Sequence, residues 1–270
     1  MMTKTGTALE PLLKRENAIV LVALLVLTLL AWLVLLAGAG SGMDPAAMSG
    51  WWLPLTLPAG ESWSWTPSYW LIAFLMWAVM MVAMMLPSAA PVLLLYAMVL
   101  RHAESQGRPA THPAAIAAFA SGYLTLWTLF GALAVVIQFG LEKSGLMSVM
   151  MNSRSTALSG TLLIAAGLYQ LSPLKAACLK HCRGPATFLS AHWRPGVAGA
   201  WRMGLLHGAY CVGCCAMLML LLFVGGVMNL VWIAGLTLFV AFEKFAPFGE
   251  AMAKTAAALL VCGGLVIAIG

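Results

Sequence analysis

The chain alternates between long apolar runs and short polar segments. A helix of about 20 apolar residues, rising 1.5 Å per residue, covers the roughly 30 Å hydrocarbon core of a bilayer. Runs of about this length lie at positions 18–37, 69–86 or a little beyond, 113–139, 156–173, 201–225, 227–242 and 251–270. The pattern predicts an all-α polytopic helical membrane protein, with about seven transmembrane helices in a single domain over residues 1–270.

Composition agrees with this prediction. Hydrophobic residues make up 63% of the chain and charged residues 8%, which lies outside the range of soluble domains. The first apolar run follows Lys14 and Arg15. Because its apolar core is longer than the 7–15 residues of a secretory signal, we expect an uncleaved membrane anchor.

The basic residues predict an orientation. If the N-terminus is cytoplasmic, only Lys143 and Arg154 of the 14 lysines and arginines fall in outer segments. Residues 1–17 are then a cytoplasmic tail, 41–68 a periplasmic loop and 174–200 a cytoplasmic Cys/His loop. Basic loops beside an anionic lipid leaflet account for the net charge of +6, so we expect the lipid bilayer as a partner and no nucleic acid.

The predicted periplasmic loop is rich in tryptophan and contains no lysine or arginine. Because tryptophan favours the headgroup zone, we expect the loop to lie along the outer membrane surface, and partner binding is the alternative. The tryptophans of this loop are Trp51, Trp52, Trp63 and Trp65.

Two features depart from a simple apolar span. Pro87 and Pro91 stand in the second run and should kink or end its helix, since proline cannot donate the next helical hydrogen bond. Glu243 and Lys244 follow the sixth run. An ionised side chain is costly in lipid, so we expect this pair at the membrane interface.

The segment "HGAYCVGCC" at 207–215 holds three of the six cysteines. On a helix, His207, Cys211, Cys214 and Cys215 fall within an arc of about 100°. Each residue alone is explained by packing, because cysteine is small and tolerated at helix interfaces in lipid. The combination on one face favours a metal-ligand cluster.

The segment "CLKHC" holds Cys178, His181 and Cys182. A cytosolic location keeps these thiols reduced, and a helix here would make the two cysteines neighbours at i and i+4. Zinc usually takes four closed ligands, whereas Cu(I) accepts two or three soft ones, so the ligand count favours copper, with zinc as the alternative. A reactive thiol pair activated by Lys180 and Arg183 is another interpretation.

A run of methionines in the second span offers a third set of soft ligands. Met76, Met80 and Met84 lie within about 80° of one helix face. Methionine commonly fills irregular cores, and the functional alternative is a thioether ladder for Cu(I). With the predicted orientation, the methionines lie in the outer half and Cys211 about 15 Å from Trp201, near the midplane. The "CLKHC" thiols would lie at the inner mouth.

These motifs resemble those of a known family of bacterial integral membrane proteins. The family is of unknown function, is described as predicted metal-binding, and is sometimes labelled copper chaperones. The resemblance rests on "MVAMMLPSAAP" at 81–91, "YQLSPLKAACLKHCRGP" at 169–185, "HGAYCVGCC" at 207–215, and "LFVGGVMN" followed by "FEKFAP". It implies a multi-pass protein of the bacterial inner membrane. The family's cysteine positions match Cys178, Cys182, Cys211, Cys214 and Cys215, and Ala216 stands where the resemblance leads us to expect tryptophan.

Three functions remain open from the sequence. The leading hypothesis is a binding protein for a soft metal, with copper as Cu(I) favoured, that relays it across the membrane or delivers it to a membrane cuproenzyme or periplasmic metal carrier. No nucleotide-binding loop or catalytic aspartate pair is present, so we do not expect primary pumping by this chain. A metal-binding or transport role is favoured over an enzymatic one. The rivals are a thiol–disulfide oxidoreductase using the CxxC at Cys211 and Cys214, and a structural accessory subunit of a membrane complex.

Overall fold

The computed structural model describes residues 6–40, 49, 64–107, 112–148, 151 and 153–269, without the side chains of residues 6–17 and His112. Within these ranges the fold is all-helical, as predicted, with one β-bridge between Met147 and Ser153. A 3₁₀ turn, Gly38–Gly40, follows the first helix. The α-helices are α1 Gly6–Leu36, α2 Pro67–Ser105, α3 His112–Lys143, α4 Thr156–Gln170, α5 Pro173–Arg183, α6 Pro185–His192, α7 Gly196–Met219, α8 Leu222–Gly225, α9 Leu230–Phe245 and α10 Gly249–Ile269.

Five helical segments of the described chain are long and apolar enough to cross a membrane. They are Ala18–Leu36, Pro67–Ser105, Pro113–Lys143, Gly196–Gly225 and Gly249–Ile269. Helices α4 and α5 add a sixth if this pair, bent by 64°, is one broken span. Helix α9 corresponds to the sixth predicted span but has only 16 residues. The count of seven spans and the cytoplasmic N-terminus therefore stay predictions.

Helix α2 continues through both of its internal prolines. Its first turn is capped by Thr66, whose hydroxyl accepts from the Tyr69 N–H, and Pro67 occupies the first helical position. The helix then runs 39 residues past Pro87 and Pro91. Of the two predicted effects of these prolines, ending the helix is wrong, because packing by neighbouring helices offsets the missing backbone bonds in such proteins, and a kink stays a prediction.

The segment predicted as a loop at 174–200 is largely helical. Ser172 caps α5 by accepting from the Lys175 N–H, and Pro173 opens its first turn. The N–H of Gly184 bonds to the Lys180 carbonyl and ends α5, after which Pro185 starts α6. Turn signals in the sequence thus divide this segment into two short helices.

Helices α3 and α7 form the most extensive helix pair among the described elements. Gly204 and Gly208 stand four residues apart on α7, and a side chain at Gly204 would collide with the backbone of Phe119 on α3. A Cβ at Gly208 would lie 3.1 Å from the carbonyl oxygen of Tyr123. Small residues at this spacing allow close helix approach in membranes. The contact places the cysteine-bearing face of α7 beside Tyr123.

The outer faces of the helices carry large apolar side chains. Leu29, Leu129, Leu259 and Val266 are each 60% to 71% exposed. Exposed apolar surface on this scale indicates contact with lipid or with another protein. Together with the apolar lengths of the helices, this is the surface of a membrane protein.

Candidate metal centre

Three cysteine sulfurs from two helices form a compact group. The Sγ atoms of Cys182, Cys211 and Cys214 all lie within 4.8 Å of one another. Cys182 comes from α5 and is 3.9 Å from the Sγ of Cys214 on α7. Cys215 is a further cysteine, itself buried, whose Sγ lies 3.2 Å from that of Cys214. The structure therefore joins two motifs that the sequence analysis placed at different depths, the midplane and the inner mouth.

The bend between α4 and α5 brings the motifs together. It turns α5 so that this helix packs along α7. Tyr169, near the end of α4, donates a 2.5 Å hydrogen bond to the Gly213 carbonyl on α7. A Cβ at Gly213 would lie 2.7 Å from the Sγ of Cys178, so glycine leaves room for this thiol. Cys178 thus borders the three-thiol group without belonging to it.

Cys211 lies in a polar environment built by three other helices. The Lys244 ammonium on α9 donates to the Cys211 Sγ at 3.0 Å and to the Ser88 Oγ on α2 at 3.0 Å. The Tyr123 hydroxyl on α3 is 3.1 Å from the same sulfur and donates to the Met85 carbonyl at 2.9 Å. Four helices therefore meet at this sulfur.

Lys244 is a site residue that the sequence analysis did not identify, as are Ser88 and Tyr123. Its side chain is 4% exposed, and no described carboxylate lies within ion-pairing distance of its ammonium. The neighbouring Glu243 is fully buried and pairs with Lys175 at 2.5 Å. The two residues are therefore enclosed by protein, and the expectation that they lie at the depth of the membrane interface stays a prediction. The sequence feature that could have identified Lys244 is the ionisable pair Glu243 and Lys244 at the end of an apolar run, since such residues within membrane segments are functional-site candidates.

His207 lies beside the thiol group but outside it. Its ring packs among those of Phe119, Tyr123 and Phe188, with centroids 6.2, 5.8 and 4.9 Å away. The side chain is 2% exposed, and its Nδ1 has no hydrogen-bond partner among the described residues. A ligand role for His207 stays a prediction.

His181 is held by its own helix and by a ring on α7. Its Nδ1 lies 2.9 Å from the Ala177 carbonyl oxygen, one turn earlier on α5. Its ring stacks on Tyr210 with centroids 4.0 Å apart and planes 5° from parallel. His181 is thus adjacent in sequence to Cys182 but absent from the three-thiol group, and its ligand role also stays a prediction.

The predicted methionine ladder is buried in the core. Met76, Met80 and Met84 are each no more than 1% exposed. Met84 precedes Ser88 by four residues and therefore lies one turn away on the same face of α2. That face leads to the contact between Ser88 and Lys244. Burial fits both packing and metal transfer, so the role of these thioethers stays a prediction.

A sequence profile of the PpoB2 family, described as copper chaperone, matches residues 74–267. The chain belongs to this family. The matched range includes the methionines of α2, the cysteines of α5 and α7, and Lys244. Neither the curated proteins nor the solved structures contain a match to the chain. Family membership suggests copper, and the three thiols of this chain form a group that could hold a metal ion.

Proposed function

We propose that this chain is a multi-pass bacterial inner-membrane protein that binds Cu(I) and relays it within or across the membrane. Its recipient would be a membrane cuproenzyme or a periplasmic metal carrier. The observation that carries the proposal is the convergence of Cys182, Cys211 and Cys214, whose sulfurs lie within 4.8 Å of one another. The family description supports the same conclusion.

The ligand set favours Cu(I) over zinc. Structural zinc sites hold the ion with four protein ligands. Catalytic zinc sites hold it with three protein ligands, including nitrogen or oxygen donors, and a water. Three sulfurs of the described residues lie mutually close, and Cys215 is next to Cys214 but outside that group. The nearby imidazoles of His181 and His207 are packed against aromatic rings. Cu(I) is satisfied by two or three soft ligands in an apolar setting. The thiol group therefore suits Cu(I) without rearrangement of either histidine.

A transfer route would run along the soft side chains next to this group. On one side, the buried methionines of α2 lead toward Ser88, with Met84 about 6 Å and Met76 about 18 Å away along the helix axis. On the other side, Cys178 is half-buried beside Gly213 and precedes Cys182 by one helical turn. In this proposal, Cys178 and Cys182 exchange metal with the cytosolic side.

The test is the metal content of the full-length protein, purified without oxygen and loaded with Cu(I). We expect the wild type to retain about one copper per chain, and the variant Cys211→Ser with Cys214→Ser to retain none. The matched control is Cys262→Ser, which removes an exposed thiol outside the group. Equal copper retention by the double variant and the wild type would contradict the proposal.

One observation favours a second candidate, a thiol–disulfide oxidoreductase. Cys182 and Cys214 have sulfurs 3.9 Å apart, which a small movement would bring to bonding distance. In that case, mild oxidation of the metal-free protein would form a Cys182–Cys214 disulfide, seen by peptide mass spectrometry. Reversible formation of this bond in a protein that binds no copper would favour the oxidoreductase.

A further inference from the structure

The positive charge of the buried Lys244 ammonium is not neutralised by any described carboxylate. An ammonium enclosed by protein is costly unless an opposite charge neutralises it. The nearest groups that can become anionic are thiols, with Cys211 in direct contact at 3.0 Å. Ser88 supplies a neutral acceptor on another side, also at 3.0 Å. The charge of Lys244 is therefore directed at the candidate metal ligands.

The metal complex expected here carries the complementary charge. When Cu(I) binds two thiols, two protons leave and one positive charge enters, so the resulting dithiolate complex has a charge of −1. Bringing that anion into an apolar interior is unfavourable unless a cation accompanies it. One ammonium beside the sulfurs makes the loaded site neutral overall.

We propose that Lys244 is the built-in counter-cation of the metal complex, which makes the site specific for monovalent metals held as anionic dithiolates. This inference rests on the proposed function, because it requires that two of the three thiols bind the metal. Lys244 is a specificity-determining residue that acts through Cys211. It contacts the sulfur and need not contact the metal.

A second buried lysine shows why this role belongs to Lys244. Lys175 is also almost fully buried, but its ammonium pairs with Glu243 and donates to Gln170. Its charge is already neutralised by protein. Glu243 and Lys244 are consecutive on α9, and yet the carboxylate pairs with Lys175. Lys244 thus remains available to an anion formed at the sulfurs.

Two metal ions of different charge test the proposal. Ag(I) forms an anionic dithiolate as Cu(I) does, whereas Hg(II) with two thiolates forms a neutral complex. The affinities of the full-length protein for Ag(I) and Hg(II) are measured by competition with a soluble thiol, for wild type, Lys244→Met and Lys244→Arg. We expect Lys244→Met to lower the affinity for Ag(I) at least about tenfold and to change the affinity for Hg(II) by less than about threefold. Lys244→Arg keeps the charge and should retain most of the Ag(I) affinity.

The matched control is Lys254→Met, the same substitution at an exposed lysine of α10. It should leave both affinities unchanged. Retained Hg(II) binding also shows that the Lys244→Met protein is folded around its thiols. If Lys244→Met weakens the binding of both ions equally, or of neither, the counter-cation role is wrong while the proposed function stands. If the wild type binds neither ion beyond a cysteine-free version, the proposed function itself fails.

Discussion

Two buried lysines, Lys175 on α5 and Lys244 on α9, have different polar partners. Lys175 bonds to the Glu243 carboxylate, whereas Lys244 bonds to the thiol of Cys211 and the hydroxyl of Ser88. A carboxyl group holds a proton at pH 7 only at a cost, while a thiol holds one at little cost. The first pair is therefore a permanent structural feature. The second places an ammonium directly on a candidate metal ligand.

The largest effect is expected from breaking the structural pair. Lys175→Met leaves the Glu243 carboxylate buried without its partner, which should lower the free energy of unfolding by about 3 kcal/mol or more. Thermal and denaturant unfolding of the purified protein in detergent measure the change. The double variant Lys175→Met with Glu243→Gln removes both charges and should recover most of the loss. Equal stability of the single and double variants would show that the pair is not tightly coupled.

The next effect concerns the thiols on α5. Cys182→Ser removes a sulfur of the three-thiol group and should weaken Ag(I) binding at least about tenfold, or about 1.4 kcal/mol. Cys178→Ser is the matched control, one helical turn away and outside the group, and should have a much smaller effect. Competition titration with a soluble thiol provides both values. A larger loss of affinity in Cys178→Ser than in Cys182→Ser would mean that the metal binds closer to Cys178.

A smaller effect is expected at the hydroxyl that faces Cys211. Tyr123→Phe removes the hydrogen bond to the Met85 carbonyl and the 3.1 Å contact with the sulfur. The loss should be about 1 kcal/mol of unfolding free energy, as for an ordinary hydrogen bond. Metal stoichiometry should be unchanged, since Ser88 and Lys244 still face the site. Loss of metal binding in a folded Tyr123→Phe protein would make the hydroxyl part of the binding machinery.

The smallest effect separates the two lysines directly. Lys244→Met in the metal-free protein should change the free energy of unfolding by less than about 1 kcal/mol. The substitution removes a buried charge, and the thiol left behind stays neutral by keeping its proton. The same unfolding measurement as for Lys175→Met provides the comparison. A loss as large as that of Lys175→Met would mean that Lys244 is structural even without metal.

The positions of the helices were largely predictable from sequence. Apolar runs near 18–37, 113–139 and 251–270 each contain or overlap a helix of the structure. These helices could be predicted because about 20 consecutive apolar residues are a property of local composition. The helical face of His207, Cys211, Cys214 and Cys215 follows from the 3.6-residue period, and all four are buried. The soft-ligand chemistry was also visible, since residue type determines it.

The assembly of the site was not predictable in the same way. Cys182 and Cys214 are 32 residues apart, and their 3.9 Å separation depends on a 64° bend after Gln170. Sequence patterns report helical faces within one segment but not the angle between two segments. The same limit applies to Lys244, whose location depends on where α9 packs against α2, α5 and α7. Its charge alone suggested an interfacial location.

Residue types and their spacing are enough to predict an apolar helical chain that carries sulfur ligands on particular helix faces. Hydrophobic length and helical period are local properties, so they can be inferred without knowing how the helices pack. The packing of the helices brings sulfurs from α5 and α7 into one group and turns an ammonium from α9 toward it. The physical reason is that a metal site and its neutralising charge need atoms within a few ångströms, a distance determined by helix packing rather than by residue order.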